Sequence, residues 1–290
     1  MRPYKNLFVK TDCLMLREMT TEEVQAVSLD ILRDVHAFCE SHGIRYTLQG
    51  GSLLGAVRHK GFIPWDDDID IAMPRPDYDR FIHTYTSEKG FKAFSRELPN
   101  GKNVFIAYTR VCDMKRTFAD DSYFPWTTEN KGVWIDLFPL DGDLESASKS
   151  KKRFRKMKYY WYQGNTLRTA SNPLSSIKGI NKKFRQVVKK IFVHFCSFKA
   201  VDKHISMCRE IDFNDAVYYG NLSFLRYGIR ERHHKRVLEG YILTPFGQDK
   251  FYIMKGYDEA LNEKYGDYMQ LPPKEQQIRG HDINKYYWRE

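Results

Sequence analysis

Acidic residues are missing from one long stretch of this 290-residue chain. Between Glu145 and Asp202 there is no Asp or Glu, while fifteen Lys and Arg fall in that interval. That number exceeds the whole net charge of +10, so the positive charge belongs to one segment and the remainder is net acidic. This argues against a uniformly basic nucleic-acid-binding surface, and no nucleic acid partner is expected. Cysteine is scarce: Cys13, Cys39, Cys112, Cys196 and Cys208 are odd in number and show no CxxC spacing. A disulfide framework and a structural zinc site both lack support. No run approaches the roughly 20 apolar residues of a transmembrane helix. The N-terminus also lacks the apolar core and small-residue cleavage site of a secretory signal. A protein kept in the cytoplasm is the expectation.

What is present fits a folded globular protein. A hydrophobic fraction of 42%, with 15% aromatic residues, can fill one large core or two small ones. Thr20 and Glu23 form a capping-box pattern, and Val24, Val27, Ile31, Val35 and Phe38 recur at helical spacing. Gly43 suits the position just past the end, so a helix is predicted over 21–42. A strand at 45–48, a two-turn helix at 53–59, a strand at 68–73 and a helix opened by Pro76 and Asp77 follow. Two more strands are expected near 105–111 and 132–138. The spacing predicts an α+β fold: a catalytic core over 1–145 with a mixed sheet flanked by helices. A mainly helical C-terminal portion, 146–290, would complete the substrate site. Within it two basic helices are expected around a break near Gln163 to Ser176, and LNEKYGDYMQLPP reads as a helix ending in a loop.

The segment Gly50 to Ile71 carries the chemistry. Gly50, Gly51 and Ser52 lie between a strand and a helix, where glycine permits close backbone approach and free amides favour a phosphate. A plain turn uses the same residues. Asp68 and Asp70, two apart on a strand, would present both carboxylates to one face while Ile69 and Ile71 enter the core. Paired carboxylates repel unless a cation lies between them, and a hard divalent ion bridging to substrate phosphates is the usual resolution. The alternative is a solvated acidic turn. Asp136, between Ile135 and Leu137, is a candidate third carboxylate, as metal ligand or as activator of an acceptor hydroxyl. Its structural alternative is a salt bridge to Arg or Lys. Arg58, His59 and Lys60 either neutralise a transferring phosphoryl group or simply complement the helix dipole. Asp66 shares the strand parity of Asp68 and Asp70 but lies nearer Pro64.

The block GGSLLGAVRHKGFIPWDDDIDIAMPRPDYDRF, with Arg236 to Tyr241, YGDYMQLPP at 265–273 and His281, resembles the LicD family of phosphocholine transferases. These are relatives of the fukutin-related ribitol-phosphate transferase within the nucleotidyltransferase-fold superfamily. The resemblance implies a nucleotidyltransferase-like sheet. It also implies transfer of an alcohol phosphate from a CDP-alcohol, typically CDP-choline, to a glycan hydroxyl with release of CMP. By position it places Gly51 and Ser52 on donor phosphates, magnesium on Asp68 and Asp70 (manganese being the alternative ion), and Asp136 in the acidic set. The acceptor would be a teichoic acid or lipopolysaccharide precursor, lipid-linked. Residues 149–200 match no quoted motif, and acceptor choice would lie partly there.

Choline would call for an aromatic cage, for which Trp65, Tyr123, Trp126 and Trp134 are candidates; ribitol or glycerol phosphate are alternatives. In the basic segment Ile177, Ile180, Phe184, Val187, Val188, Ile191 and Phe195 form an apolar stripe opposite several Lys and Arg. Such a helix can lie on an anionic membrane, making 149–199 a peripheral contact on its inner face. It can equally pack into the core with a solvated basic face. Two further readings stand beside transfer of the alcohol phosphate: nucleotidyl transfer, in which the same carboxylates move the nucleoside monophosphate itself, and an inactive scaffold.

Overall fold

The computed structural model describes residues 16–99, 101–120, 126–127, 129–169, 179–277 and 285–289. Helix α1 (Thr21–His42) starts on the capping box: the Thr20 hydroxyl accepts from the Glu23 amide while the Glu23 carboxylate accepts from the Thr20 amide. It ends on Gly43 at φ +59°, a left-handed conformation that glycine adopts without strain. Its buried stripe of Val24, Val27, Ile31, Leu32 and Val35 covers the sheet. Along the chain follow β1 (Thr47–Leu48), α2 (Gly50–Arg58), β2 (Asp70–Pro74), α3 (Arg75–Thr84), β3 (Phe91–Phe94), β4 (Thr109–Asp113), β5 (Thr117–Asp120) and β6 (Trp134–Asp143).

The central sheet runs β1-β2-β6-β4-β3. Strands β2 and β6 are parallel and the other neighbours antiparallel, as expected for a mixed sheet. The ten-residue β6 is its spine. The first half pairs with β4, and the last three residues pair with β7 (Tyr218–Gly220), which in turn carries β8 (Arg232–His234). Two expected elements sit differently: β2 begins at Asp70, leaving Asp68 in the approach to it, and α2 begins at Gly50, so both glycines and Ser52 form its first turn.

Helices α4 (Ala147–Thr169), α5 (Ile180–Phe192) and α6 (Lys199–Cys208) follow β6. The helix continues past Gln163 because Gly164 lies close against Val201 of α6; a Cβ there would come within 3.0 Å of the valine side chain. The rest of the expected break lies outside the described residues. Among the described residues helix outweighs strand in the portion 146–290, and strands enter it after α6. Besides β7 and β8, a hairpin of β9 (Tyr241–Phe246) and β10 (Asp249–Met254) closes on a two-residue turn with Gly247 at φ +64°. The short α7 (Tyr257–Tyr265) follows the hairpin, and β11 (Lys285–Trp288) pairs with β5. One core joins early and late segments, with Phe213, Tyr219, Phe251 and Tyr286 packed among the residues that include Ile31, Leu48 and Ile71.

Buried ion pairs fix the later elements to the sheet. Arg75 donates to both oxygens of Asp141 at 2.6 and 2.9 Å and reaches Glu97, which also receives Arg209. Asp143 is gripped by Arg153 and Arg232. The backbone is closely packed where α2 meets the following turn: a Cβ on Gly55 would lie 2.4 Å from the Gly61 carbonyl oxygen. Gly55→Ala is expected to destabilise the protein by about 1–3 kcal/mol, read as a lowered Tm in calorimetry.

Helix α5 resolves the choice between core packing and surface. Its apolar side faces outward: Phe184 is 68% exposed, Ile191 63% and Phe195, just beyond the helix, 78%. The inward side is polar. Gln186 is buried and donates to the Thr169 carbonyl at 2.7 Å, and Lys189 donates to the Thr169 hydroxyl at 3.1 Å. Ile177 lies outside the described residues. No helix among the described residues is long and apolar enough to cross a membrane.

Candidate active site

Strand register builds the site. Asp70 on β2 and Asp136 on β6 are direct partners in the parallel ladder, and Arg110 on β4 is the partner of Asp136 on its other side. Three neighbouring strands therefore put carboxylate, carboxylate and guanidinium in one row. Asp70 is partly buried, and its carboxyl is pushed well above the usual carboxylate range, first by loss of water and then by the charges of Asp68 and Asp136. Lys264 acts in the opposite direction, and Asp66 adds to the rise. The structure thus gathers Asp66, Asp68 and Asp136 around Asp70. Asp68 and Asp136, with Arg110, Trp134 and Tyr286, line a partly open cleft of about 390 Å³.

The start of α2 lies against this row. Its N-cap residue, Gln49, makes no side-chain capping bond, so the first-turn amides of Gly50, Gly51 and Ser52 have no side-chain cap. Gly50 has φ +58°, and a Cβ on it would come 3.1 Å from Asp70 Oδ2 and 3.7 Å from Lys264 Nζ. A Cβ on Gly51 would come 2.6 Å from Asp66 Oδ2. These two positions have room for little besides glycine. The Ser52 hydroxyl accepts from the Asp70 amide at 2.8 Å, so Ser52 ties the helix start to the strand that carries Asp70. Its own proton remains a donor.

Asp136 takes its structural alternative. Arg110 donates from Nε at 2.6 Å and from Nη2 at 3.2 Å to the two carboxylate oxygens. Arg110 also lies over Trp134 at 4.4 Å and Trp126 at 4.9 Å. Two of the aromatics that could have caged a choline ammonium therefore enclose the protein's own cation. Trp65 packs edge-on against His59, with ring centroids 6.2 Å apart, and Tyr123 and His281 lie outside the described residues.

Arg58, His59 and Lys60 fall at the far end of α2, about 12 Å from its first turn at 1.5 Å per residue. Arg58 donates to the Tyr268 and Gln270 carbonyls and toward His59, and Lys60 to the Val57 carbonyl. They brace the helix end against the loop after α7. The cation beside the glycines is instead Lys264, which donates to the buried Glu231 at 2.6 Å and lies over Tyr227 at 4.2 Å. Lys264 stands immediately before the YGDYMQLPP motif, and its approach to Gly50 depends on how α7 folds back.

Carboxylates crowded at the start of an uncapped helix fit a hard divalent cation shared with a phosphate. Among the described residues no three His, Cys, Asp or Glu side chains form a metal cage by themselves. Magnesium ordinarily takes one or two carboxylates and completes its shell with phosphate oxygens and water, so this donor set suits it.

Comparison with known proteins points to a family that includes named transferases. A family profile described as LicD/FKTN/FKRP, nucleotidyltransferase domain, matches residues 43–185. The lipopolysaccharide cholinephosphotransferase LicD of Haemophilus influenzae is 31% identical over 288 residues, covering 94% of this chain and 99% of its own length. The ribitol 5-phosphate transferase FKRP is 29% identical over 147 residues in both mouse and human, covering 44% of this chain and 30% of the relative.

Proposed function

The chain belongs to the LicD family, and from that premise we propose that it is a phosphotransferase with a nucleotidyltransferase-like core. It moves an alcohol phosphate, phosphocholine in the first instance, from a CDP-alcohol to a hydroxyl of a cell-surface glycan precursor, releasing CMP. A relative named for ribitol 5-phosphate makes other polyol phosphates the next candidates. The observation that carries this reading is the partly buried Asp70, in register with Asp136 and within the fields of Asp66 and Asp68, beside the first turn of α2.

Asp68 and Asp70 would hold magnesium, which when bound neutralises charge on the diphosphate. The remaining work falls to the chain. Amides of Gly50 and Gly51 and the Ser52 hydroxyl receive the phosphate oxygens, and Lys264 supplies a fixed positive charge beside them. Phosphoryl transfer asks mostly for alignment and charge stabilisation, which such a rigid set provides. Both Asp136 oxygens already receive Arg110, so its part is to complete the acidic row; any proton transfer from the acceptor would use its remaining lone pairs. Incubation with CDP-choline, CDP-ribitol and CDP-glycerol plus magnesium, with the cytidine and alcohol ends separately labelled, tests the reading. CMP release with the alcohol phosphate retained on the acceptor is expected. Label from cytidine on the acceptor would mean nucleotidyl transfer instead.

The outward apolar side of α5, set among lysines and arginines without a single acid, supports peripheral attachment to an anionic membrane from the cytoplasmic side. A lipid-linked acceptor would be reached there. Sedimentation with phosphatidylglycerol vesicles is expected to show binding that falls steeply with salt, and Ile191→Asp with Phe184→Asp is expected to weaken it at least fivefold. Salt-independent self-association with no vesicle binding would reassign this side to a second copy of the chain.

A further inference from the structure

A second cavity, of about 350 Å³, lies on the opposite side of the carboxylate row from the first. Tyr108 stands two residues before Arg110 on the approach to β4, and Phe138 two residues after Asp136 on β6. Each is therefore displaced about 7 Å along its strand from the row, on the same sheet face. The Tyr108 hydroxyl accepts from Arg110 at 3.3 Å, which links the cavity wall to the group that holds Asp136. Tyr108 and Trp161 both meet Phe224 edge-on, at interplanar angles of 83° and 81°. Phe224 thus makes a corner with each of these two rings.

Polar groups are set around that corner. Asn165 and Arg168 come from α4, and Arg168 Nη1 donates to Asn165 Oδ1 at 3.2 Å. His204 from α6 is 1% exposed, and its Nε2 donates to the Leu222 carbonyl at 2.8 Å. Burial lowers its pKa to about 4, so the ring is neutral at physiological pH and its Nδ1 is an acceptor. Among the described residues no carboxylate lines this cavity.

We propose that this cavity is the subsite for the sugar ring whose hydroxyl accepts the phosphate. A puckered ring with an apolar C–H face and outward hydroxyls suits an aromatic corner with a carboxamide, a guanidinium and a neutral imidazole. The walls from α4 belong to the segment that carries no quoted family motif, as suits a determinant of acceptor choice. The assignment as an acceptor subsite rests on the transferase reading; the sugar binding itself does not.

Saturation-transfer NMR with methyl β-galactoside, methyl β-glucoside and the methyl glycoside of N-acetylgalactosamine, using CMP as a second probe, tests it. At least one glycoside should receive saturation from the wild type. Trp161→Ala should reduce that signal at least fivefold while CMP signals persist, and Asn165→Ala provides the same test with less disturbance of packing. Absence of any glycoside signal in the wild type overturns the proposal, as does a signal that neither variant changes. Loss of CMP together with the glycoside would make the cavity a base pocket and also overturn it. Glycoside binding without any CMP binding would instead count against the CDP-alcohol donor and leave the sugar subsite standing.

Discussion

Asp70→Asn is expected to lower transfer about 1,000-fold or more while raising the Tm of the metal-free protein. The two effects share one cause. Burial raises the Asp70 carboxyl most, the Asp68 and Asp136 charges raise it further, and Lys264 only partly opposes them. In acid the folded and unfolded chains both hold the proton, and Asp70 costs nothing. Above the ordinary carboxylate value of about 3.9 the unfolded chain releases its proton while the folded chain retains it, so stability falls as pH rises. Beyond the raised folded value the whole cost stands. Asparagine cannot ionise, so its advantage should be absent near pH 3 and grow toward neutrality. It is expected to reach about 1–2 kcal/mol, or about 2–8 °C in Tm for a chain of this size. Calorimetry in EDTA across that range, beside turnover with magnesium, checks both halves. A Tm difference that ignores pH, or near-normal turnover of the variant, would remove Asp70 from the centre of the site. Magnesium should reverse the order, since the wild type gains an ion that the variant binds poorly.

The parts of this site that are local in sequence were legible, and the parts made by long-range pairing were not. The capping box at Thr20, the stop at Gly43 and the crowding of Asp66, Asp68 and Asp70 near Gly50 and Gly51 all depend on residues close together in the chain. Asp136 could be proposed as a partner because an acid in the apolar run Val133 to Phe138 needs one. Which partner was a question of register. Arg110 reaches it only because β4 pairs antiparallel with β6 at that residue. Lys264 is separated from Gly50 by more than two hundred residues, whereas Arg58 is close in sequence and was the more obvious cation. A nine-residue helix places Arg58 at the wrong end. The hairpin at 241–254 had a readable signal, alternating segments around Gly247, that the basic and aromatic character of the second half obscured. Periodicity found the stripe on α5 but not its direction. Only the buried Gln186 shows that the polar side was chosen for docking.

Arg110→Met is expected to cost about 3–5 kcal/mol of stability, the loss seen when one partner of a buried ion pair is removed. Arg110 is 9% exposed, and its guanidinium supplies the positive charge between aromatic faces and Asp136. Without it, Asp136 stands beside Asp70 with the guanidinium's charge removed, and each charge makes the other harder to bury. Magnesium should therefore rescue the variant more than it stabilises the wild type, because an ion at the carboxylates replaces part of the missing charge. Removing both charges, in Arg110→Met with Asp136→Leu, should return most of the lost stability, since apolar groups of similar volume can replace a buried pair at little cost. Turnover separates the two roles of Asp136. If its carboxylate serves the transfer, the double variant folds well and stays inactive, with no rescue by magnesium. Recovery of activity along with stability would make the Arg110–Asp136 pair a purely structural clamp, leaving the chemistry to Asp68 and Asp70.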